Sequence, residues 1–137
     1  MKILIRTIAF LLFATVSLSA NAHTGEAHMW DGKKAPSIKL FVKKDPMSGY
    51  NIQIKTKNFK WSPQRASMSH VAGEGHAHIY IDDVKIGRVY GEWYHLATAN
   101  LNLTPGAHSV RVDLNGNDHA PYMFQGKPLE AKKVINI

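Results

Sequence analysis

The stretch that decides the fold class is residues 37–59, SIKLFVKKDPMSGYNIQIKTKNF, in which two alternating runs flank the turn-forming residues DPMSG. In the first run the apolar residues Ile38, Leu40 and Val42 occupy every second position, and the second run, residues 50–59, repeats the pattern. Successive side chains of a strand point to opposite faces of a sheet, so this alternation is typical of half-buried strands. The stretch therefore predicts a β-hairpin with one apolar face and one basic, solvated face.

Five further short runs carry the same strand and turn signals. We predict these strands at residues 76–81, 86–90, 101–104, 108–114 and 130–137, with loops at 91–100 and 115–128. No stretch after residue 22 has the period of an amphipathic helix. Short strands separated by frequent turn residues predict an all-β fold, and specifically an immunoglobulin-like two-sheet β-sandwich of about seven strands.

The first 22 residues have the organisation of a secretory signal peptide. Lys2 and Arg6 form a basic start, residues 8–16 are almost wholly apolar, and residues 20–22 are Ala-Asn-Ala, a small-residue cleavage pattern. The alternative is a transmembrane anchor, for which the apolar run is short. We therefore divide the chain into a signal peptide (1–22), an extended N-terminal arm (23–36) and a β-sandwich domain (37–137). We expect the mature protein to be periplasmic or secreted, without a transmembrane segment.

The composition excludes several classes of protein. A chain of 137 residues suits one domain, and its lack of cysteine excludes disulfide scaffolds, thiolate zinc fingers and cysteine nucleophiles. The chain has no Gly-x-Ser-x-Gly, His-Glu-x-x-His or phosphate-loop motif. We therefore predict no catalytic residues and favour a non-enzymatic role. An exported protein is also not expected to bind nucleic acid.

The strongest chemical signal is the sequence GEGHAH at residues 73–78. Side chains two residues apart on a strand project from the same face about 6.6 Å apart. An ion held at about 2.0–2.1 Å from each imidazole nitrogen can therefore bridge His76 and His78. Ile79 and Ile81 would face the core, which leaves the two histidines on the opposite, partly open face. The alternative is an exposed pair of histidines that binds nothing.

All eight histidines follow residue 22, and several others could complete a site. Cleavage after residue 22 would make His23 the first residue, whose α-amine and imidazole can chelate one cation together. His119 follows Asp118, a carboxylate that could orient its ring. The full set of predicted metal ligands is His23, His28, His70, His76, His78, His95, His119 and Met68. Imidazole and thioether groups without any thiolate favour copper, with zinc as the alternative.

A family resemblance accompanies the central motif. The segments GEGHAHIYIDD (73–83), LTPGAHSVRVDL (103–114) and NDH (117–119) resemble small secreted bacterial β-sandwich domains of unknown function, with Gly-x-Gly-His-x-His as the most specific part. This resemblance implies a sandwich fold and export, and no established activity.

A second resemblance concerns the predicted mature N terminus alone. It resembles the histidine brace of copper-resistance C-type periplasmic carriers and of lytic polysaccharide monooxygenases. Both are immunoglobulin-like sandwiches whose first histidine binds copper together with a second histidine. The resemblance implies a ligand role for His23, with His76, His78 or His119 as its partner. The chain departs from the monooxygenases in its short length and its lack of cysteines, which argues against oxidative catalysis.

Three functions fit these observations. The first is an exported protein that carries, buffers or delivers a transition-metal ion, copper above all, in the cell envelope, with another envelope protein as metal donor or acceptor. The alternative is a non-metal ligand-binding or adhesion module that uses the aromatic stretch Trp93-Tyr94-His95. The third is a small copper-dependent oxidase. Titration with Cu(II) separates the first from the second, and peroxide-dependent turnover of polysaccharide separates the first from the third.

Overall fold

A computed structural model describes residues 26–137, and this part of the chain is an all-β protein. Its strands are β1 (His28–Met29), β2 (Ser37–Lys44), β3 (Tyr50–Lys57), β4 (Lys60–Trp61), β5 (Glu74–Ile81), β6 (Val84–Val89), β7 (Trp93–Leu96), β8 (Ala107–Asn115), β9 (Tyr122–Phe124), β10 (Lys127–Pro128) and β11 (Glu130–Asn136). The helices of residues 26–137 are two short 3₁₀ turns, Pro63–Arg65 and Thr98–Asn100, and neither is long and apolar enough to cross a membrane. The predicted signal peptide and His23 lie outside the described residues.

The longer strands form two sheets. β2, β3 and β7 make an antiparallel sheet in that order. In the other sheet β5 pairs antiparallel with β8 and with β6, β8 pairs with β11, and β4 extends the first residues of β5 in parallel. A short third sheet consists of β1, β9 and β10. The predicted N-terminal arm and the predicted loop at 115–128 therefore both contribute short strands.

One hydrophobic core joins the two larger sheets. Ile52 and Ile54 from β3 are fully buried, as are Ile79 from β5 and Val112 and Leu114 from β8, and all belong to a single cluster. Full burial of such a side chain contributes roughly 1.5–3 kcal/mol to folding. The predicted all-β class is confirmed, and the arrangement is compatible with a β-sandwich.

Two further predicted elements differ from the structure. Trp93–Leu96, predicted within a loop, is strand β7, because its backbone pairs with β3 and Leu96 enters the core. Residues 101–104, predicted as a strand, form a turn and irregular chain. Asn102 has a φ of 49° there, a left-handed conformation that interrupts a strand.

Candidate metal centre

Strand β5 presents His76 and His78 on one face, while Ala77 and Ile79 face the core on the other. The two histidines are 0% and 4% exposed, so the partly open face expected from the sequence is wrong. The reason is that side chains from other elements cover it. The ring of His119 lies against both histidines, and the ring of Tyr90 lies 5.7 Å from that of His76.

A tight turn after β8 holds His119 in place. The N–H of Gly116 donates to the carbonyl of Ala120 at 2.9 Å, and the N–H of His119 donates to the carbonyl of Gly116 at 3.0 Å. His119 itself has a φ of 70°, which is uncommon for a residue other than glycine. Asn117 is fully buried, and its Oδ1 accepts a hydrogen bond from the Ser62 hydroxyl at 2.6 Å. The turn is therefore anchored to the chain that precedes β5.

Three ring nitrogens converge in this arrangement. Nε2 of His76 lies 3.1 Å from Nε2 of His78, and Nδ1 of His119 lies 2.8 Å from the former and 3.4 Å from the latter. Three nitrogens bound to one ion at 2.0–2.1 Å, with tetrahedral angles, lie about 3.3 Å apart. One ion therefore fits with small movements of the rings.

Protons alone cannot satisfy these three nitrogens. A nitrogen of a neutral imidazole either carries a hydrogen and donates, or presents a lone pair and accepts. Among three mutually adjacent nitrogens at least two are of the same kind. At least one contact of 3.4 Å or less therefore places two lone pairs, or two N–H groups, against each other. A cation accepts all three lone pairs, so the cluster could hold a metal ion.

Burial keeps His76 and His78 neutral. Loss of hydration, with repulsion from His119 and Arg88, lowers the pKa of His76 from 6.5 to about 4. Loss of hydration also lowers the pKa of His78 from 6.5 to about 3, and Lys85 adds the largest charge effect. Since metal ions bind neutral imidazole, both rings offer a lone pair at neutral pH.

The outer nitrogens of the rings have different surroundings. Nε2 of His119 lies 2.8 Å from Oγ of Ser67, to which it can donate a hydrogen while Nδ1 faces the cluster. Such a partner fixes the tautomer of a metal-binding histidine. Nδ1 of His76, in contrast, is buried without a hydrogen-bond partner among residues 26–137. Ser67 was missed by the sequence analysis because a loop serine has no pattern that assigns it to a site.

Two other predicted ligands lie in a second cluster. The ligand atoms of His28, His70 and Asp118 are all within 4.8 Å of one another. Oδ2 of Asp118, predicted to orient His119, lies 2.8 Å from Nε2 of His28. Asp31, which the sequence analysis did not single out, lies 2.7 Å from Nε2 of His70.

The remaining predicted ligands lie elsewhere. His95 is on β7, where its Nδ1 is 2.9 Å from Oδ1 of Asn51, and Met68 is 57% exposed. His95 belongs to neither of the two clusters that histidine and aspartate side chains form among residues 26–137. Their roles, like that of His23, stay predictions.

Comparison of the chain with protein-family models, with curated proteins and with solved structures finds no match. The two resemblances described above therefore rest on their sequence motifs, and the function has to be argued from the site itself.

Proposed function

We propose that this is an exported metal-binding protein that carries, buffers or delivers copper in the cell envelope through His76, His78 and His119. The observation that supports the proposal is the triangle of ring nitrogens, with sides of 3.1, 2.8 and 3.4 Å. An ion relieves a contact in this triangle that protons cannot satisfy. The site is also preorganised, because two of its rings are buried and neutral before any ion arrives.

Copper is the ion that we favour, with zinc as the alternative. Imidazole binds both ions, but a given nitrogen site binds Cu²⁺ more tightly than Zn²⁺. The cluster contains no carboxylate among the described residues, and the charges of Lys85 and Arg88 act on its rings. These positive charges repel a divalent ion more than a monovalent one, so the site also suits Cu(I).

The burial of the cluster supports carriage or buffering. His76 and His78 are buried, whereas His119 is partly exposed. Burial of two ligands shields a bound ion from solvent. The partly exposed His119 is the side from which a donor or acceptor protein would reach the ion. The proposal of export rests on residues 1–22, which have the pattern of a signal peptide.

The test is titration of the purified protein with Cu(I), Cu(II) and Zn(II) against a chromophoric competitor. We expect tight copper binding by the wild-type protein, weakened at least about 100-fold in His76→Gln and in His78→Gln. His95→Gln is the matched control, because it changes the same type of side chain outside both clusters. Wild-type affinity in both cluster variants would overturn the proposal. If the proposal holds, the metal content of protein extracted from its native envelope identifies the ion.

One observation favours a second candidate function, the binding of a non-metal ligand such as a polysaccharide. Phe41 and Trp93 lie in one row across β2, β3 and β7, on either side of Gln53. They are 51% and 63% exposed, and neighbouring strands are about 4.8 Å apart, so the two rings form a platform about 10 Å wide. Exposed aromatic side chains of this kind often mark binding surfaces.

Affinity electrophoresis in polysaccharide-containing gels tests this second candidate. A binding platform predicts that the wild-type protein is retarded and that Trp93→Ala migrates freely. His76→Gln should be retarded like the wild type, because its substitution lies in the other sheet. Unretarded migration of the wild-type protein through neutral, acidic and amino polysaccharides would exclude the candidate.

A further inference from the structure

The turn that carries His119 also contributes to a second group of metal-binding side chains. This group consists of His28 on β1, His70 in the loop before β5, and Asp118, which directly precedes His119. Oδ1 and Oδ2 of Asp118 lie 3.1 and 2.8 Å from Nε2 of His28. The rings of His28 and His70 stack with their centroids 3.8 Å apart. The group shares no residue with the buried cluster.

His70 is poised to offer a lone pair to this group. Its Nε2 lies 2.7 Å from Oδ2 of Asp31, which can only accept a hydrogen bond when it is ionised, so Nε2 carries the hydrogen. Nδ1 then bears the lone pair, and it is buried without a hydrogen-bond partner among residues 26–137. A carboxylate on the outer nitrogen is the usual companion of a metal-binding histidine.

The backbone at Gly116 leaves the space in which these atoms meet. A Cβ atom at this residue would lie 2.9 Å from Nδ1 of His70, 2.9 Å from Oδ1 of Asp118 and 3.1 Å from Cδ2 of His28. Nδ1 of His70 and Oδ1 of Asp118 therefore approach the same point, and the ring of His28 lies beside it. The side chains of His28, His70 and Asp118 are 26%, 22% and 37% exposed, so the group lies near the surface, although Nδ1 of His70 itself is buried.

We propose that His28, His70 and Asp118 form a second, partly exposed metal site for a divalent transition-metal ion, with Asp31 as a positioning residue behind His70. Two imidazoles and one carboxylate are a ligand set that Zn²⁺ and Cu²⁺ accept. The carboxylate offsets part of the charge of a divalent ion. The buried cluster of His76, His78 and His119 has no such group among its members. The site does not depend on the function proposed for that cluster.

The test uses zinc alone, added to the full protein, with the bound ions counted by native mass spectrometry and their affinities measured by calorimetry. We expect two zinc ions per wild-type chain. His70→Gln and Asp118→Asn should each bind one, and the asparagine retains an oxygen for the N–H of Ala120. His76→Gln should also bind one ion, held at the second site, and His95→Gln should bind two.

Asp31→Asn tests the positioning role. It should leave two zinc ions bound but weaken the second site about 10- to 100-fold, with the buried site unchanged. Two ions bound with wild-type affinities in both His70→Gln and Asp118→Asn, whose folding is checked by thermal unfolding, would overturn the second site. A single wild-type zinc ion that His76→Gln abolishes would also overturn it. If His70→Gln loses one ion while His76→Gln binds like the wild type, the second site stands and the proposed function fails.

Discussion

Nδ1 of His119 lies 2.8 Å from Nε2 of His76, although 43 residues separate the two histidines in the chain. His76 pairs with Asn115, the last residue of β8, and the turn that follows returns His119 to β5 four residues later. The cluster therefore depends on the register of β5 against β8. A slip of one residue would move the histidines of β5 to the opposite face of the sheet.

Replacement of His119 tests the contribution of this turn. We predict that His119→Asn weakens copper binding at the buried cluster at least about 100-fold, because one of three ligands is lost. Asparagine tolerates the left-handed backbone, with its φ of 70°, so the turn should persist. The metal-free variant should stay folded, with its free energy of unfolding lowered by about 0.5–3 kcal/mol, because the partly buried ring loses its contacts with His76 and Ser67. Competition titration and urea unfolding measure the two quantities, and an unchanged copper affinity would remove His119 from the site.

Removal of the Ser67 hydroxyl tests whether copper binding depends on the tautomer of His119 as well as on the presence of its imidazole. Ser67→Ala deletes the oxygen 2.8 Å from Nε2 of His119 and leaves all three imidazoles in place. Without this partner the hydrogen of His119 can move to Nδ1, which then cannot bind an ion, so we predict a loss of affinity of about 10- to 100-fold with stoichiometry retained. Ser69→Ala is the control from the same loop. Equal affinities of the two variants would argue that Ser67 does not set the tautomer.

The sequence predicts the central strands of the fold but not β7. Ile52 and Ile54 alternate with polar residues, and both are buried, as a two-residue period requires. In β7, by comparison, Tyr94 and Leu96 face the core while Trp93 and His95 are exposed, but the exposed position 93 is itself a large aromatic residue, so the polarity of the sequence does not mark the strand. Its conformation comes from hydrogen bonding to β3, a tertiary interaction that no local pattern encodes.

The candidate site likewise contains residues that a local pattern predicts and residues that only the tertiary structure brings together. His76 and His78 can be predicted as a pair, because residues two apart on a strand share a face. The choice of His119 as the third member depends on strand pairing across the sheet and on a left-handed backbone that histidine merely tolerates. Asp31 and Ser67 reach the clusters from loops, where spacing along the sequence carries no information about distance.

Gly75 is required for the close approach of β5 to the turn after β8. A Cβ atom there would lie 1.8 Å from the carbonyl oxygen of Asn115, so backbone atoms would have to move. We predict that Gly75→Ala lowers the free energy of unfolding by about 2–4 kcal/mol and also weakens copper binding, since His76 is the next residue. A Cβ at Gly91 would have no neighbour within 4 Å, which makes Gly91→Ala the matched control. Similar urea unfolding curves for the two variants would contradict the predicted crowding.

The lowered pKa values of His76 and His78 predict how the stability of the metal-free protein depends on pH. Well above pH 6.5, the ordinary pKa of histidine, both rings are neutral in the folded and unfolded states, so they add no pH dependence. As the pH falls from 6.5 to about 4, the unfolded rings bind protons, while the folded rings, with pKa values of about 4 and about 3, remain neutral. The unfolded state therefore gains protons first, and the free energy of unfolding decreases with falling pH.

Each ring contributes at most about 1.4 kcal/mol per pH unit within this window. We predict that the double variant His76→Gln/His78→Gln loses less stability than the wild type between pH 6.5 and 4, as measured by urea unfolding without metal. His95→Gln should follow the wild-type curve, because its side chain lies outside the cluster. Bound copper should raise the wild-type curve without flattening it above about pH 4, because the folded rings of His76 and His78 carry no proton there with or without the ion. Parallel curves for the wild type and the double variant would show that the two rings titrate normally, and hence that burial does not hold them neutral for an incoming ion.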